Sequence, residues 1–346
     1  MSPSLASLLK RIQPAGVILF ARNIVSAEQT FRLLNDCQAQ VATPLFRCVD
    51  LEGGKVDRLR NAIGPAPSPA EVFASGNRKL FRRHGRIIGE NCQAVGFNVD
   101  FAPAMDLAFE ASKSVMSTRA VSADPRQVIT YTRAFLAGLA DEGVLGCGKH
   151  FPGLGEGTLD SHHELPVIQK PWKKLWEQDL VPYRTLRREL PFVMVSHAAY
   201  PAVTGESTPA SLSKKWITEI LRKKIGYRGL IASDDLEMGG VLSAAPIEQA
   251  AMQFFRAGGD LGLICHKEEF VTRSYEELER QVADDLAFAK RAAESIQRVL
   301  AFKKKRRRLA RWSKLPGTNE VERLTRKLWE FSEQVRLETI RHQELA

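Results

Sequence analysis

The sequence predicts an α/β fold on a parallel sheet, of the (β/α) barrel kind. Three observations predict it. Short strand-like runs alternate with helical stretches along most of the chain, the order that a parallel sheet with crossover helices produces. The runs are continuously apolar rather than alternating, so both faces of each strand need cover. Polar residues gather where the runs end: Asp50, Asp106, Lys149-His150, His197, Asp234-Asp235 and His266. In a (β/α) barrel such ends share one rim, where active sites lie. An open doubly wound sheet is the rival. It usually brings a glycine-rich phosphate turn after its first strand, and Phe20-Ala-Arg-Asn23 is not one.

Taken in order, residues 1–12 read as a short amphipathic helix and Gly16-Val-Ile-Leu-Phe20 as a buried strand. Ser26 with Gln29 starts a helix to about Gln40 in the manner of a capping box. Leu45 to Val49 is the next strand, ending in Asp50-Leu-Glu52-Gly53-Gly54-Lys55-Val-Asp-Arg58. A proline-rich crossing leads to a helix over about 77–95. A third strand covers Val99 to Asp106. Arg119 lies in the following loop, and Asp124-Pro125 opens a helix that stops at Gly143. The run from Gly143 to His150 is a strand, and a glycine-rich loop follows it. Helix is expected over 172–188, strand over 192–197 and helix near 213–224. Gly229 to Asp235 is strand, 246–257 helix, and Leu261 to His266 the last strand. Helix then dominates from about 274 to 302. That makes seven strands.

The chain has 346 residues, 44% of them hydrophobic, enough for a sizeable core and within the range of a single barrel. Its formal net charge is +10, but residues 303–346 hold 13 Lys/Arg against 6 Asp/Glu, so +7 lies in the tail and +3 in the rest. Five cysteines, Cys37, Cys48, Cys92, Cys147 and Cys265, show no close pairing, which suits buried thiols in a reducing compartment. The first residues have no secretory pattern and no apolar stretch reaches membrane-spanning length. A cytoplasmic protein without a membrane span is expected.

Chemistry concentrates in the loop after the Gly143–His150 run, where Asp160-Ser-His162 sets a carboxylate two residues from an imidazole. That pairing suits acid/base work, although a loop histidine is more often simply solvated. His163 receives no role. Asp234 and Asp235 could supply a nucleophile, a metal ligand or a helix cap. Adjacent residues on a strand point to opposite faces, so at most one serves a pocket. Lys149 and His150 could bind hydroxyls or anions, or a buried lysine could merely pair with a local carboxylate. Asp50 and Arg58 flank a glycine turn and could be an ordinary surface ion pair. No metal-binding spacing is present, and no Gly-x-Ser-x-Gly elbow surrounds Ser233.

Six ordered blocks carry a resemblance over about residues 15–267. They are Gly16-Val-Ile-Leu-Phe-Ala-Arg-Asn23, Val49-Asp50-Leu-Glu-Gly-Gly-Lys-Val-Asp-Arg58, Asn98-Val-Asp-Phe-Ala-Pro-Ala-Met-Asp106, Arg119-Ala-Val-Ser-Ala-Asp-Pro125, Lys149-His150-Phe-Pro-Gly-Leu-Gly with Asp160-Ser-His162, and Ser233-Asp234-Asp235-Leu-Glu-Met238. Together they resemble the family 3 glycoside hydrolases, and more narrowly the bacterial β-N-acetylglucosaminidases of cell-wall recycling. The resemblance implies a (β/α)8 TIM-type barrel and a retaining exo-glycosidase with no cofactor. It implies Asp234 as nucleophile, His162 paired with Asp160 as acid/base, and Asp50, Arg58, Arg119, Lys149 and His150 as sugar-binding residues. The implied partner is a muropeptide-like carbohydrate. A β-glucosidase or a glycoside phosphorylase with the same site stays open, as does a non-catalytic sugar- or anion-binding barrel. Relatives show His where Leu154 stands and Arg where Lys55 stands. Members also open with a strand before the first helix, whereas this chain opens almost directly in that helix. The first stave is therefore expected to be missing from this chain; a start upstream, a substitute segment and a damaged enzyme are the readings left open.

Two regions are expected: the barrel over 1–302 and a basic helical extension over 303–346. The run Lys303-Lys-Lys-Arg-Arg-Arg308 could meet an anionic partner, but a solvated helix face is the plainer reading, and no aromatic-basic nucleic-acid module surrounds it. Leu309, Trp312, Leu324, Leu328, Trp329 and Phe331 give the tail apolar residues for packing on the barrel or for self-association.

Overall fold

The computed structural model describes residues 1–157 and 165–344. Its strands are β1 Gly16–Leu19, β2 Phe46–Val49, β3 Leu51–Gly53, β4 Val56–Asp57, β5 Val99–Asp100, β6 Cys147–Phe151, β7 Phe192–Val195, β8 Leu230–Asp235 and β9 Leu261–Leu263. Seven of them fall on the seven apolar runs. The other two, β3 and β4, pair antiparallel around Gly53-Gly54. Glycine is needed there: φ is +91° at Gly53, and a Cβ would sit 2.2 Å from the Pro67 carbonyl oxygen.

Two compact units arise, Met1–Met105 with Thr118–Cys147 and Arg307–Ala346, and Asp106–Ser117 with Gly148–Arg306. In the first, β1, β2 and β5 form a sheet in that order, parallel throughout. Only Val99–Asp100 of the expected strand 99–106 joins it. The run expected as strand from Gly143 enters β6 only at Cys147, although Leu145 bridges Val99. The reason is local: Gly143 ends the preceding helix at φ +80°, and its N–H donates to Ala140 as helix closure. Helices Arg78–Ala94 and Pro125–Asp141 approach so closely that a Cβ at Gly85 would lie 2.0 Å from the Phe135 carbonyl oxygen.

The terminal helix Thr318–Glu344 belongs to this unit and buries Leu324, Leu328, Phe331 and Val335. Phe331 stacks on His84 with ring centroids 5.7 Å apart. A buried arginine in β2 ties down the chain before that helix. Arg47 donates to the Leu309 carbonyl at 3.1 Å and the Arg311 carbonyl at 3.0 Å, and its guanidinium covers the Trp312 ring at 3.9 Å. Much of the tail's apolar surface is thus used within the chain, and Arg323 and Lys327 of its helix pair with Glu90, each at 2.8 Å. Trp329, 65% exposed, and Leu315, Leu337 and Ile340 are exceptions.

In the second unit the sheet order is β6-β7-β8-β9, with β7-β8 and β8-β9 parallel. The helix expected over 172–188 is two, Trp172–Glu177 and Leu180–Leu186. Gln178, with φ −126° and ψ −85°, breaks it, and Asp179 at the break is buried. The expected helix 274–302 is also two, Glu268–Asp284 and Leu286–Lys305, because Asp285 Oδ1 accepts the N–H groups of Ala287 and Phe288 as an N-cap. Residues Lys215–Lys224 wind as a π-helix rather than an α-helix. Asp260 anchors this unit's helices to its sheet, taking the Ile231 N–H at 2.9 Å and the guanidinium groups of Arg222 and Arg298. None of the five cysteines is in a disulfide, and four are buried. Among the described residues no helix is long and apolar enough to cross a membrane.

Candidate active site

The end of β8 separates its two aspartates, as alternation along a strand requires. Asp235 is consumed by structure. Its Oδ1 accepts the Glu237 N–H at 3.0 Å, which caps the turn after the strand, and its Oδ2 lies 3.0 Å from His266 Nε2. Burial pushes its carboxyl up to about 6, against the pull of the Glu237 N–H and His266. Asp234 is half-buried and the reverse case. Burial works to raise its carboxyl, but the fields of His150 and His197, the N–H of Asp235 and Lys149 outweigh it and hold Asp234 below the usual carboxylate range. The Asp235 N–H reaches Asp234 Oδ1 at 2.9 Å. Ser233 is fully buried, and its Oγ accepts the Leu263 N–H at 3.0 Å, tying β8 to β9.

The imidazoles that act on Asp234 are themselves oriented. Asp106, 1% exposed, receives the His150 N–H at 3.1 Å, His150 Nδ1 at 2.8 Å and the Leu154 N–H at 2.7 Å. A carboxylate only accepts, so His150 carries a proton on Nδ1 and turns Nε2 away from Asp106. His197 is fully buried, with Nε2 at 2.9 Å from the Asp235 carbonyl oxygen and Nδ1 at 2.7 Å from Ser211 Oγ. The carbonyl fixes the proton on Nε2. Nδ1 faces the Ser211 hydroxyl, which can either accept from it or donate to it. Lys149 is 2% exposed on the same strand as His150. Lys149, His150 and Asp234 therefore come together in the second unit. Asp160 and His162 lie outside the described residues.

Asp50, Arg58 and Arg119 belong to the first unit. Arg119 makes a two-pronged contact with Glu52, Nε to Oε2 at 2.9 Å and Nη2 to Oε1 at 2.8 Å. The Glu52 side chain is fully buried and that of Arg119 is 16% exposed. Arg58 follows Asp57, whose buried carboxylate takes the Leu59 and Ala66 N–H groups at 3.0 and 2.8 Å and so shapes the turn. Arg58 itself lies 5.8 Å over the Phe20 ring, and its buried Nε has no hydrogen-bond partner among the described residues. An orphaned buried guanidinium N–H is costly, and a bound polar ligand would satisfy it. Asp50 is half-buried at the end of β2.

Glu52, Asp106 and His197 are the residues that sequence reasoning left without a role. Asp106 and His197 stood among the polar strand ends, which was the available signal. Glu52 stood inside a quoted block, but its partner lies 67 residues away.

Residues 1–302 match the family description "Glycosyl hydrolase family 3 N terminal domain". The chain belongs to glycosyl hydrolase family 3. It is 38% identical over 293 residues to a Beta-hexosaminidase of Bordetella avium, a match covering 82% of this chain and 81% of that one. Among solved structures it is similar to a family 3 β-N-acetylglucosaminidase from a Paenibacillus species, with TM-score 0.87 and 30% identity over 96% of this chain. The chain spans 65% of that protein's length. A family 3 glycosyl hydrolase from Mycobacterium smegmatis matches with TM-score 0.73 and 32% identity, over 87% of this chain and 97% of the other. The fold is accordingly the α/β TIM-type of the family, and the chain is a glycoside hydrolase.

Proposed function

We propose that this chain is a retaining exo-β-N-acetylglucosaminidase that removes terminal β-linked N-acetylglucosamine from peptidoglycan fragments in the cytoplasm. The observation that carries the reading is Asp234: a half-buried carboxylate at a strand end, kept ionised by Lys149, His150, His197 and a backbone N–H. An anionic nucleophile aimed from a rigid strand is what a glycosyl-enzyme mechanism requires.

In the first step Asp234 attacks the anomeric carbon while the glycosidic bond breaks. His162 gives its proton to the leaving oxygen, with Asp160 supporting the imidazolium. In the second step His162 takes a proton from water, the water oxygen attacks the anomeric carbon, and Asp234 leaves as carboxylate. Asp50, Arg58, Arg119, Lys149 and His150 hold the sugar hydroxyls and the acetamido group. The unsatisfied Arg58 Nε and the Glu52-braced Arg119 suit such contacts. The similarity to proteins named Beta-hexosaminidase favours the acetamido sugar over glucose.

Release of nitrophenol from the β-N-acetylglucosaminide and the β-glucoside, with Asp234→Ala alongside, tests this. Turnover of the acetylated substrate, lost in the variant, is expected. Preference for the glucoside would keep the mechanism and overturn the sugar. A sugar phosphate formed in phosphate buffer would replace hydrolysis by phosphorolysis. A folded protein silent on both substrates would overturn the catalytic reading.

A further inference from the structure

Between β6 and the helix Trp172–Glu177 the chain leaves and returns along two described stems, 152–157 and 165–170. Both are pinned in the second unit. On the outgoing stem, Asp106 holds the Leu154 N–H at 2.7 Å and the Tyr200 hydroxyl donates to the Gly153 carbonyl at 2.7 Å. On the returning stem, the Ile168 N–H donates to the Ala199 carbonyl, and the Ala199 N–H to the Pro166 carbonyl, each at 2.8 Å.

One side chain ties these stems to each other. Lys170 Nζ lies 2.9 Å from Glu156 Oε1, on the outgoing stem, and 2.7 Å from Asp179 Oδ2, at the helix break. The Lys170 and Asp179 side chains are 3% and 2% exposed, while Glu156 is 41% exposed. The ammonium also rests 4.4 Å over the Phe109 ring. The contacts are at ion-pair distance but off the ideal hydrogen-bond directions. Burying a lysine and an aspartate is expensive for stability, and a well-packed apolar pair would serve the core as well. What the pair adds is connection: an ammonium anchored on the scaffold by Asp179 reaches across to Glu156, so both ends of the intervening chain are fastened at one point.

That intervening stretch is where the sequence places Asp160 and His162. We propose that Lys170, through Glu156 and Asp179, is a positioning residue for proton transfer, fixing the two stems that flank the acid/base pair. The proposal rests on the reading of His162 as that acid/base.

Leaving-group dependence tests it, measured as kcat/KM, which reports the step that breaks the glycosidic bond. An alkyl β-N-acetylglucosaminide needs its leaving oxygen protonated; a dinitrophenyl one does not. Glu156→Gln leaves the buried Lys170–Asp179 pair intact and weakens only the tie to the outgoing stem, from an ion pair to at most a neutral hydrogen bond. It is expected to lower kcat/KM on the alkyl substrate by about tenfold or more, part of the 10²–10⁴ that positioned proton transfer supplies, with the dinitrophenyl substrate nearly unchanged. Lys170→Arg should keep more alkyl activity than Lys170→Met. Equal losses on both substrates, or none on either, would overturn the positioning role. His162→Ala separates the two ideas. If it discriminates between the substrates and Glu156→Gln does not, Lys170 has no positioning role. If His162→Ala itself fails to discriminate, the acid/base reading falls and the proposal with it.

Discussion

Arg119→Met would deprive a fully buried carboxylate, Glu52, of two charge-assisted hydrogen bonds at 2.8 and 2.9 Å. Methionine fills much of the arginine stem's volume, so lost packing is a minor term and the electrostatic term dominates. Breaking a buried ion pair by removing one partner costs about 3–5 kcal/mol, because the remaining charge stays desolvated. Arg119 is 16% exposed, which admits some water and places the expectation near 3 kcal/mol, the lower end of that range. Glu52→Gln keeps one acceptor and removes the charge, so it should cost less, about 1.5–3 kcal/mol. The double variant leaves no buried charge at this pair. It should therefore be more stable than the sum of the singles by about 1 kcal/mol or more. Equilibrium urea denaturation of the four proteins at neutral pH reads all three numbers. A loss below about 1 kcal/mol for Arg119→Met, or strict additivity in the double variant, would refute the view that this pair is tightly coupled in the interior.

Further outcomes follow from other residues. Burial holds the His84 imidazole down at about 3, against a backbone contact from Pro67. Its folded value lies below its unfolded one, so the unfolded chain binds the extra proton first and stability falls as pH drops below about 6.5. His84→Phe should reduce that acid loss, measured as the slope of unfolding free energy between about pH 6 and pH 4. Asp235 is the opposite case, raised to about 6. The folded protein holds its proton longer, so stability falls as pH rises from about 4 to about 6. Asp235→Asn should flatten that segment while costing some of the His266 contact. Phe331, fully buried in the terminal helix, should cost about 3–5 kcal/mol when cut to alanine. A loss under about 1 kcal/mol would mean that the helix does not bear on the stability of its unit.

Much of the fold was legible because seven strands announce themselves as apolar runs between helix signals, although β1 and β9 are only partly buried. Strand ends were less legible. Val99 to Asp106 reads as one run, yet the strand proper is Val99–Asp100, and past it the pairing thins to the Phe101 N–H on the Val49 carbonyl and the Cys147 N–H on the Ala102 carbonyl, each at 2.8 Å. The break at Asp285 had a readable signal, an aspartate two and three residues before the N–H groups that it caps. The break at Gln178 had none, and nothing in the local pattern showed that Asp179 beside it would be buried against Lys170. Arg47, in the middle of an apolar strand, likewise acts on carbonyl groups more than 260 residues away. At the site, the motif blocks named Asp234, Lys149 and His150. They could not show that Asp106 orients His150 or that Glu52 braces Arg119, since side-chain contacts across the sheet leave no mark in spacing. Asp160 and His162 rest on sequence alone.

The most direct test of the account is to trap the covalent intermediate. The protein would be incubated with a slow fluorinated N-acetylglucosaminyl donor bearing a dinitrophenolate leaving group, digested, and the labelled peptide sequenced by mass spectrometry. The account predicts one sugar per chain, esterified to Asp234, and no label in Asp234→Ala. Label on Asp235 or on any other residue, or rapid turnover of the ordinary substrate by Asp234→Ala, would contradict it.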